Sequence, residues 1–198
     1  SDLYLIIACL TGKLIATEEI EELIDSISQF KLPSKWKSFY LSNKTLIPWI
    51  NDLNERIAQI SNWFLKETLS KYWLGGFIYP NGFLTSLLQS YSRKFSIAID
   101  NIKYEYIFLG SDCNLGIAPK EGAYITGLYL EGAKWSQNEG FMTDCEPMNL
   151  YSTIYAIHFR PVEKNTKNFN RNPCYSCPCY IYPNRDGTVE KPSFVTNI

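Results

Sequence analysis

A single histidine limits the acid–base chemistry this sequence can carry. Any Ser-His-Asp or Cys-His mechanism must pass through His158. His158 falls in an alternating stretch, on the face opposite Tyr155, Ile157 and Phe159. That makes it a partly exposed strand residue, with no local activating context for a nucleophile. Six cysteines, Cys9, Cys113, Cys145, Cys174, Cys177 and Cys179, offer further chemistry. Cys174-x-x-Cys177-x-Cys179 has the residue type of a zinc site, but zinc takes four ligands. The fourth must come from Cys113, Cys145 or His158, with no second Cys-x-x-Cys pair to supply it. Strand alternation also puts Cys177 and Cys179 on one face and Cys174 on the other. Reduced thiols packed as small hydrophobes are the plainer reading, so no metal site is expected. Two rivals stay open: a metal-stabilised structural or interaction module built on Cys174, Cys177 and Cys179, and a small enzyme with Cys177 or Cys179 as nucleophile and His158 as base.

Nucleotide chemistry finds no foothold. Gly12-Lys13 lacks an earlier glycine at P-loop spacing and has Leu14 where Ser or Thr should stand. Gly75-Gly76 runs into Phe77 rather than into a helix with a further glycine, so it reads as a loop. Glu21 and Glu22 sit in a helical pattern as a solvated face. Trp73, Phe77 and Tyr79 would suit either a ligand surface or a core, and aromatic side chains more often serve the core. No catalytic, cofactor-binding or metal residue is therefore expected.

Composition agrees with a folded, chemically quiet chain. Its 198 residues are 45% hydrophobic and 15% aromatic, enough for a real core. A net charge of −1 gives no field for nucleic acid or a membrane surface. No apolar run reaches the roughly 18 residues of a membrane span. Leu3 to Leu10 is short and follows acidic Asp2, unlike a signal peptide. A sequence that opens inside an apolar, helix-like segment suggests a longer protein upstream.

Periodicity supplies the elements. Thr17 is the expected N-cap of a helix in which Ile20, Leu23, Ile24 and Ile27 share a face, with Pro33 as its stop. A longer helix starting near Pro48 carries Leu46, Ile50, Leu53, Ile57, Ile60 and Phe64 at alternating spacings of four and three. Trp49 and Trp63 widen that stripe, and Asn51, Asp52, Asn54, Glu55 and Arg56 take the other side. A third helix fits Phe83 to Phe95. The period then changes to two: Ile102, Tyr104, Tyr106 and Phe108 predict a strand, and Ala123–Trp135, Ile154–Phe159, Tyr175–Tyr182 and Phe194–Ile198 predict four more. Gly127 and Gly132 mark bends within the second of these, and Arg185, Asp186 and Gly187 mark a turn before a return strand at Thr188 and Val189. The Asn-rich stretch from Glu163 to Pro173 reads as a loop. Helices first and strands later define an α+β protein, with a helical subdomain over 1–100 and a small antiparallel β-barrel over 101–198.

Several segments resemble, in order, the C-terminal region of dynein heavy chains. They are Leu32-Pro33-Ser34-Lys35-Trp36, Trp49 through Ile57, Trp73-Leu74-Gly75-Gly76-Phe77, Leu88-Gln89-Ser90-Tyr91-Ser92-Arg93-Lys94, Ile99-Asp100 with Tyr104-Glu105-Tyr106, Gly127 through Trp135, Cys177-Pro178-Cys179-Tyr180, Arg185, Gly187-Thr188 and Thr196-Asn197. The resemblance covers the sequence from about Leu14 to its end, and the Gln89–Lys94 and Leu130–Trp135 stretches look axonemal rather than of the cytoplasmic transport type. Ser193-Phe194 stands where the family has a Gly-His pair. The resemblance implies a non-catalytic domain that packs on the AAA+ ring of its own heavy chain. It also implies a parent motor that uses ATP and Mg, moves along microtubules toward the minus end, and associates with intermediate, light intermediate and light chains in cytoplasm, cytoskeleton and the axoneme of a cilium or flagellum. No catalytic residue carries over, and neither nucleic acid nor membrane is implied.

Overall fold

The structure is a computed structural model that describes residues 2–37, 44–136 and 139–164, and the backbone of 176–178 and 195–197. Two compact units divide the protein, Ser1–Glu55 and Arg56–Ile198. Residues 71–73, the helix Pro80–Phe95 and the later half of the helix Leu46–Lys66 all belong to the second unit.

In the first unit α1 spans Asp2–Leu10, α2 Glu18–Ser28 and α3 Ser34–Lys37, and the long helix α4, Leu46–Lys66, contributes its opening turns. Thr17 stands at the N-cap of α2 in extended conformation, but its side chain makes no capping bond. Three acidic residues in the first turn, Glu18, Glu19 and Glu21, complement the positive end of the helix. The helix stops before Pro33: Phe30 turns into the left-handed region (φ 53°), and the Lys31 N–H donates to the Ser26 carbonyl. Ile6, Ile20, Leu23, Leu32, Trp36, Leu46 and Trp49 form the core. Trp36 and Trp49 stack with centroids 6.0 Å apart. The Trp36 indole Nε1 donates to Asp2 Oδ2 at 3.0 Å, and Lys35 pairs with both Asp2 and Glu19. These contacts pin the start of α1.

In the second unit a four-stranded sheet runs in the order β1–β3–β8–β2, with β1 at Lys71–Trp73, β2 at Ile102–Leu109, β3 at Ala123–Thr126 and β8 at Ala156–Glu163. β1 and β3 are parallel, and β8 pairs antiparallel with both β3 and β2. Helix α5, Pro80–Phe95, starts with proline in its first turn and ends at Ser96 in the left-handed conformation. It packs across β2 and β8. Tyr104 donates its hydroxyl to the Leu84 carbonyl at 2.5 Å, tying strand to helix. Trp63, Tyr72, Phe77 and Phe83 form an aromatic cluster with centroid separations of 4.3–6.3 Å.

The stretch expected as one bent strand over Ala123–Trp135 is three: β3, β4 (Tyr129–Glu131) and β5 (Ala133–Ser136). Gly127 and Gly132, both at positive φ, make the breaks. β4 pairs with β7 (Tyr151–Thr153) and β5 with β6 (Phe141–Asp144). β9, Ser176–Pro178, pairs with β10, Val195–Asn197, and lies beside β4. The expected barrel is corrected: among the described residues the sheets are small and open. Closure requires an unbroken ring of paired strands, and here each glycine break sends the backbone to a new partner. The α+β class itself holds. The turn at Arg185–Gly187, the strand expected at Thr188 and Val189, and Ser193-Phe194 lie outside the described residues.

Candidate functional site

Polar groups converge where the later half of α4 meets β1. Gln59 projects from α4 and clamps one residue of β1 from both sides of its peptide unit. Its Oε1 accepts from the Trp73 N–H at 2.7 Å, and its Nε2 donates to the Trp73 carbonyl at 3.1 Å. A side-chain amide thus takes the place of a neighbouring strand along the outer edge of β1. One turn earlier Arg56, only 5% exposed, donates from Nη1 to the Gly76 carbonyl at 3.0 Å. Its guanidinium lies 5.8 Å from the centre of a Trp73 ring, within cation–π range. Expected on the solvated side of the helix, Arg56 is instead buried. The second unit takes Arg56, Gln59 and Trp63 from α4, and leaves Ile57, Ile60 and Phe64, expected on the packed stripe, exposed.

Trp73 is gripped from the sheet side as well. Gly127, at φ +79°, brings its Cα so close that a Cβ would lie 2.3 Å from the indole Cδ1. At the other end of β3, Gly122 at φ +75° lets the backbone pass within 2.0 Å, measured from an ideal Cβ, of the Phe159 carbonyl oxygen. Only glycine satisfies both the backbone conformation and the space at these two positions. Beside the clamp runs an open groove of about 280 Å³ lined by Gln59, Asn62, Lys66, Ser70, Lys71 and Trp73, among others. Of these, Gln59 is already committed to backbone. Phe77 packs against the core, Trp73 lies half-buried beside Gly127 and Arg56, and Tyr79 is exposed.

The groups singled out for chemistry are dispersed. His158 sits on β8 between Tyr124 and Ile107 in register. Its Nε2 is 2.8 Å from the Glu121 carbonyl, which assigns the proton to Nε2, and its ring meets Tyr124 edge-on at 5.1 Å. Cys113 and Cys145 are half-buried thiols. Cys174 and Cys179 lie outside the described residues, and Cys177 is described only as a backbone partner of Thr196. Among the described residues no three His, Cys, Asp or Glu side chains gather as a metal site. Buried charge is confined, among those residues, to Arg56 and to Glu105 on β2, which accepts from Nε of the exposed Arg160 facing it on β8. Burial raises two phenols on the same strand, Tyr106 to about 12 and Tyr104 further still. Lys134 holds the Glu146 carboxyl below its ordinary value through a hydrogen bond on the surface.

Sequence reasoning missed Gln59 and misplaced Arg56. A polar residue three positions from Arg56 in an amphipathic helix carries no mark of the strand it will clamp. The quoted segments do converge: Trp49–Ile57, Trp73–Phe77 and Gly127–Trp135 supply Arg56, Trp73, Gly76 and Gly127 to this one node.

An α+β module whose buried Arg56 and clamping Gln59 bond to its own backbone is what these features define. Residues 1–198 match the family model of the C-terminal domain of dynein heavy chains, and the protein belongs to that family. The dynein-1-beta heavy chain of the flagellar inner arm I1 complex of Chlamydomonas reinhardtii is 40% identical over 189 residues, 94% of this sequence. Dynein axonemal heavy chain 2 of Mus musculus is 39% identical over 189 residues and dynein axonemal heavy chain 1 of Rattus norvegicus 35% over 188, each again covering 94% of the sequence. In all three cases the match spans 4% of the relative's length.

Proposed function

We propose that this protein is the regulatory C-terminal domain of an axonemal dynein heavy chain, packed on the AAA+ ring of its own polypeptide and performing no chemistry itself. In this reading ATP and Mg are bound elsewhere in the parent, which walks along microtubules in the axoneme of a cilium or flagellum in company with intermediate, light intermediate and light chains. The observation that carries the reading is the family match over residues 1–198, with axonemal and flagellar heavy chains among the relatives. The clamp of Gln59 and Arg56 on β1 supports it, because it makes the node a rigid support rather than a site with groups held in reserve.

The test is clean deletion of the domain from its heavy chain, with microtubule-stimulated ATP hydrolysis and single-motor run length measured side by side. Retained hydrolysis with altered coupling or run length is the expected result. Unchanged motility overturns the regulatory role, and ATP turnover by the purified 198-residue protein at a motor's rate overturns the non-catalytic one.

A further inference from the structure

α5 ends on a serine that no structural task claims. Ser86, Ser90 and Ser92, earlier on the same helix, each donate the hydroxyl to a backbone carbonyl. Ser96 does not: it is exposed, and among the described residues its hydroxyl has no partner. It stands at the C-cap in left-handed conformation (φ 55°, ψ 38°). Glycine is the residue that such a backbone favours, so the conformation does not account for a serine here.

The residues around Ser96 form a pattern. Arg93 stands three places before it and Lys94 two, both exposed in the last turn of α5, and apolar Ile97 follows. No carboxylate falls between Tyr91 and Ile99. Of the described arginines, Arg56, Arg93 and Arg160, only Arg93 has a hydroxyl residue three places on. Arg93 makes no ion pair among the described residues, and Lys94 is only loosely held, 3.6 Å from Glu121 Oε1 at the surface. Two cations at these spacings suit a protein kinase whose substrate cleft is lined by carboxylates, because the guanidinium fork matches a carboxylate bidentately and charge pattern sorts substrates among kinases. To lie extended in such a cleft, the last turn must open. Little holds it: the Ile97 N–H donates to the Ser92 carbonyl at 3.1 Å, and the Ser92 hydroxyl donates to the Ile97 carbonyl at 2.6 Å. Exposed helix ends open locally at a small fraction of the global unfolding free energy.

We propose that Ser96 is a phosphoacceptor for an arginine-directed protein kinase. Its Oγ attacks the γ-phosphorus of Mg-bound ATP. The new O–P bond forms as the bond to the bridging β–γ oxygen breaks, ADP leaves, and the hydroxyl proton passes to the kinase's catalytic carboxylate. The product places about two negative charges one turn from Arg93 and beside Lys94.

The test uses the full heavy chain carrying this domain, with Mg-ATP and the catalytic subunit of the cyclic-AMP-dependent kinase. Casein kinase 2, which selects acidic surroundings, is the contrast. Tandem mass spectrometry locates the phosphate. The expected result is stoichiometric phosphate at Ser96 from the first kinase and none from the second. Arg93→Gln keeps the acceptor and should lower kcat/KM at Ser96 at least about ten-fold, the worth of one charge-assisted pair. Ser96→Gly suits the left-handed backbone and so retains the fold, and it should abolish phosphate on this peptide. An unmodified Ser96 in the folded chain, modification only after urea, equal labelling by casein kinase 2, or an Arg93→Gln chain labelled at the wild-type rate overturns the inference. The regulatory reading fails separately: unchanged motility after deletion of the domain leaves the phosphoacceptor standing, and an unmodified Ser96 leaves the deletion result standing.

Discussion

Gln59→Leu should weaken the second unit by about 2 kcal/mol. Two neutral hydrogen bonds to Trp73, at 2.7 and 3.1 Å, are lost, each contributing roughly 1 kcal/mol net. The adjoining groove is open, so water can rehydrate the freed N–H and carbonyl, which keeps the cost from rising to that of fully buried groups. Gln59→Glu separates the two bonds. The carboxylate still accepts from the Trp73 N–H but cannot donate to the carbonyl, and it sets an anion against that oxygen. Its deficit should exceed that of Gln59→Leu at neutral pH and shrink as the pH falls through the carboxyl's own titration, when the acid regains a donor. The assay is urea denaturation, with amide exchange at residues 71–73 resolving this unit from Ser1–Glu55. A lower midpoint with unchanged slope is expected for both variants. Wild-type midpoints for both, or a Gln59→Glu protein as stable at pH 7 as at acid pH, would refute the view that this amide substitutes for a strand neighbour.

Gly127→Ala should cost about 2–4 kcal/mol, from left-handed strain plus a Cβ driven into the Trp73 indole; a fall in Tm together with shifted tryptophan fluorescence checks it. Arg56→Met should cost about 2–3 kcal/mol by leaving the Gly76 carbonyl without its buried cationic donor, and Arg56→Lys should not restore the loss, because an ammonium lacks the planar face that lies over Trp73; thermal melts of the two variants side by side decide it. Alkali should unfold the protein below the range in which its buried phenols ionise in place. A folded-state value raised from 10.0 to about 12 for Tyr106 means stability is complete below pH 10 and is lost as the pH rises toward 12. Tyrosinate absorbance should appear together with loss of circular dichroism rather than ahead of it.

Elements with a consistent apolar face were readable in the sequence. Tyr104, Tyr106 and Phe108 alternate along β2 and pack against the same core that Phe83, Leu84 and Leu87 meet from α5, while Phe95 at the end of that helix is exposed. α4 shows where this fails. Its stripe at spacings of four and three is continuous, but only Leu46, Ile50 and Leu53 join the first core, and beyond Glu55 a different face, carrying Arg56, Gln59 and Trp63, meets β1. Periodicity records that a helix has a face, not which partner each turn will meet. β1 left no signal because three residues are too few to show a period, and its parallel pairing with β3 depends on residues far away in sequence. The barrel was over-read for a related cause: alternation reveals strands, whereas closure depends on which strand follows which. The absence of a P-loop pattern needed no structure, whereas the three-cysteine cluster falls largely outside the described residues and its metal chemistry is a matter for a zinc assay.

β8 lies between β3 and β2, yet it is the last of the four strands to be made. Glu105 waits 55 residues for Arg160, and Tyr72 meets Thr126 across 54. At roughly 5–20 residues per second of synthesis, β2 stands with both edges bare for several seconds before its neighbour emerges. Loops of this length also make sheet closure a slow event. During that interval the alternating strand Ile102–Leu109 is a template for any polypeptide with a free edge, an identical nascent copy included. A domain whose central strand is the last of its sheet to be made finishes folding late, and a chaperone that shields β2 would have its greatest effect in that interval.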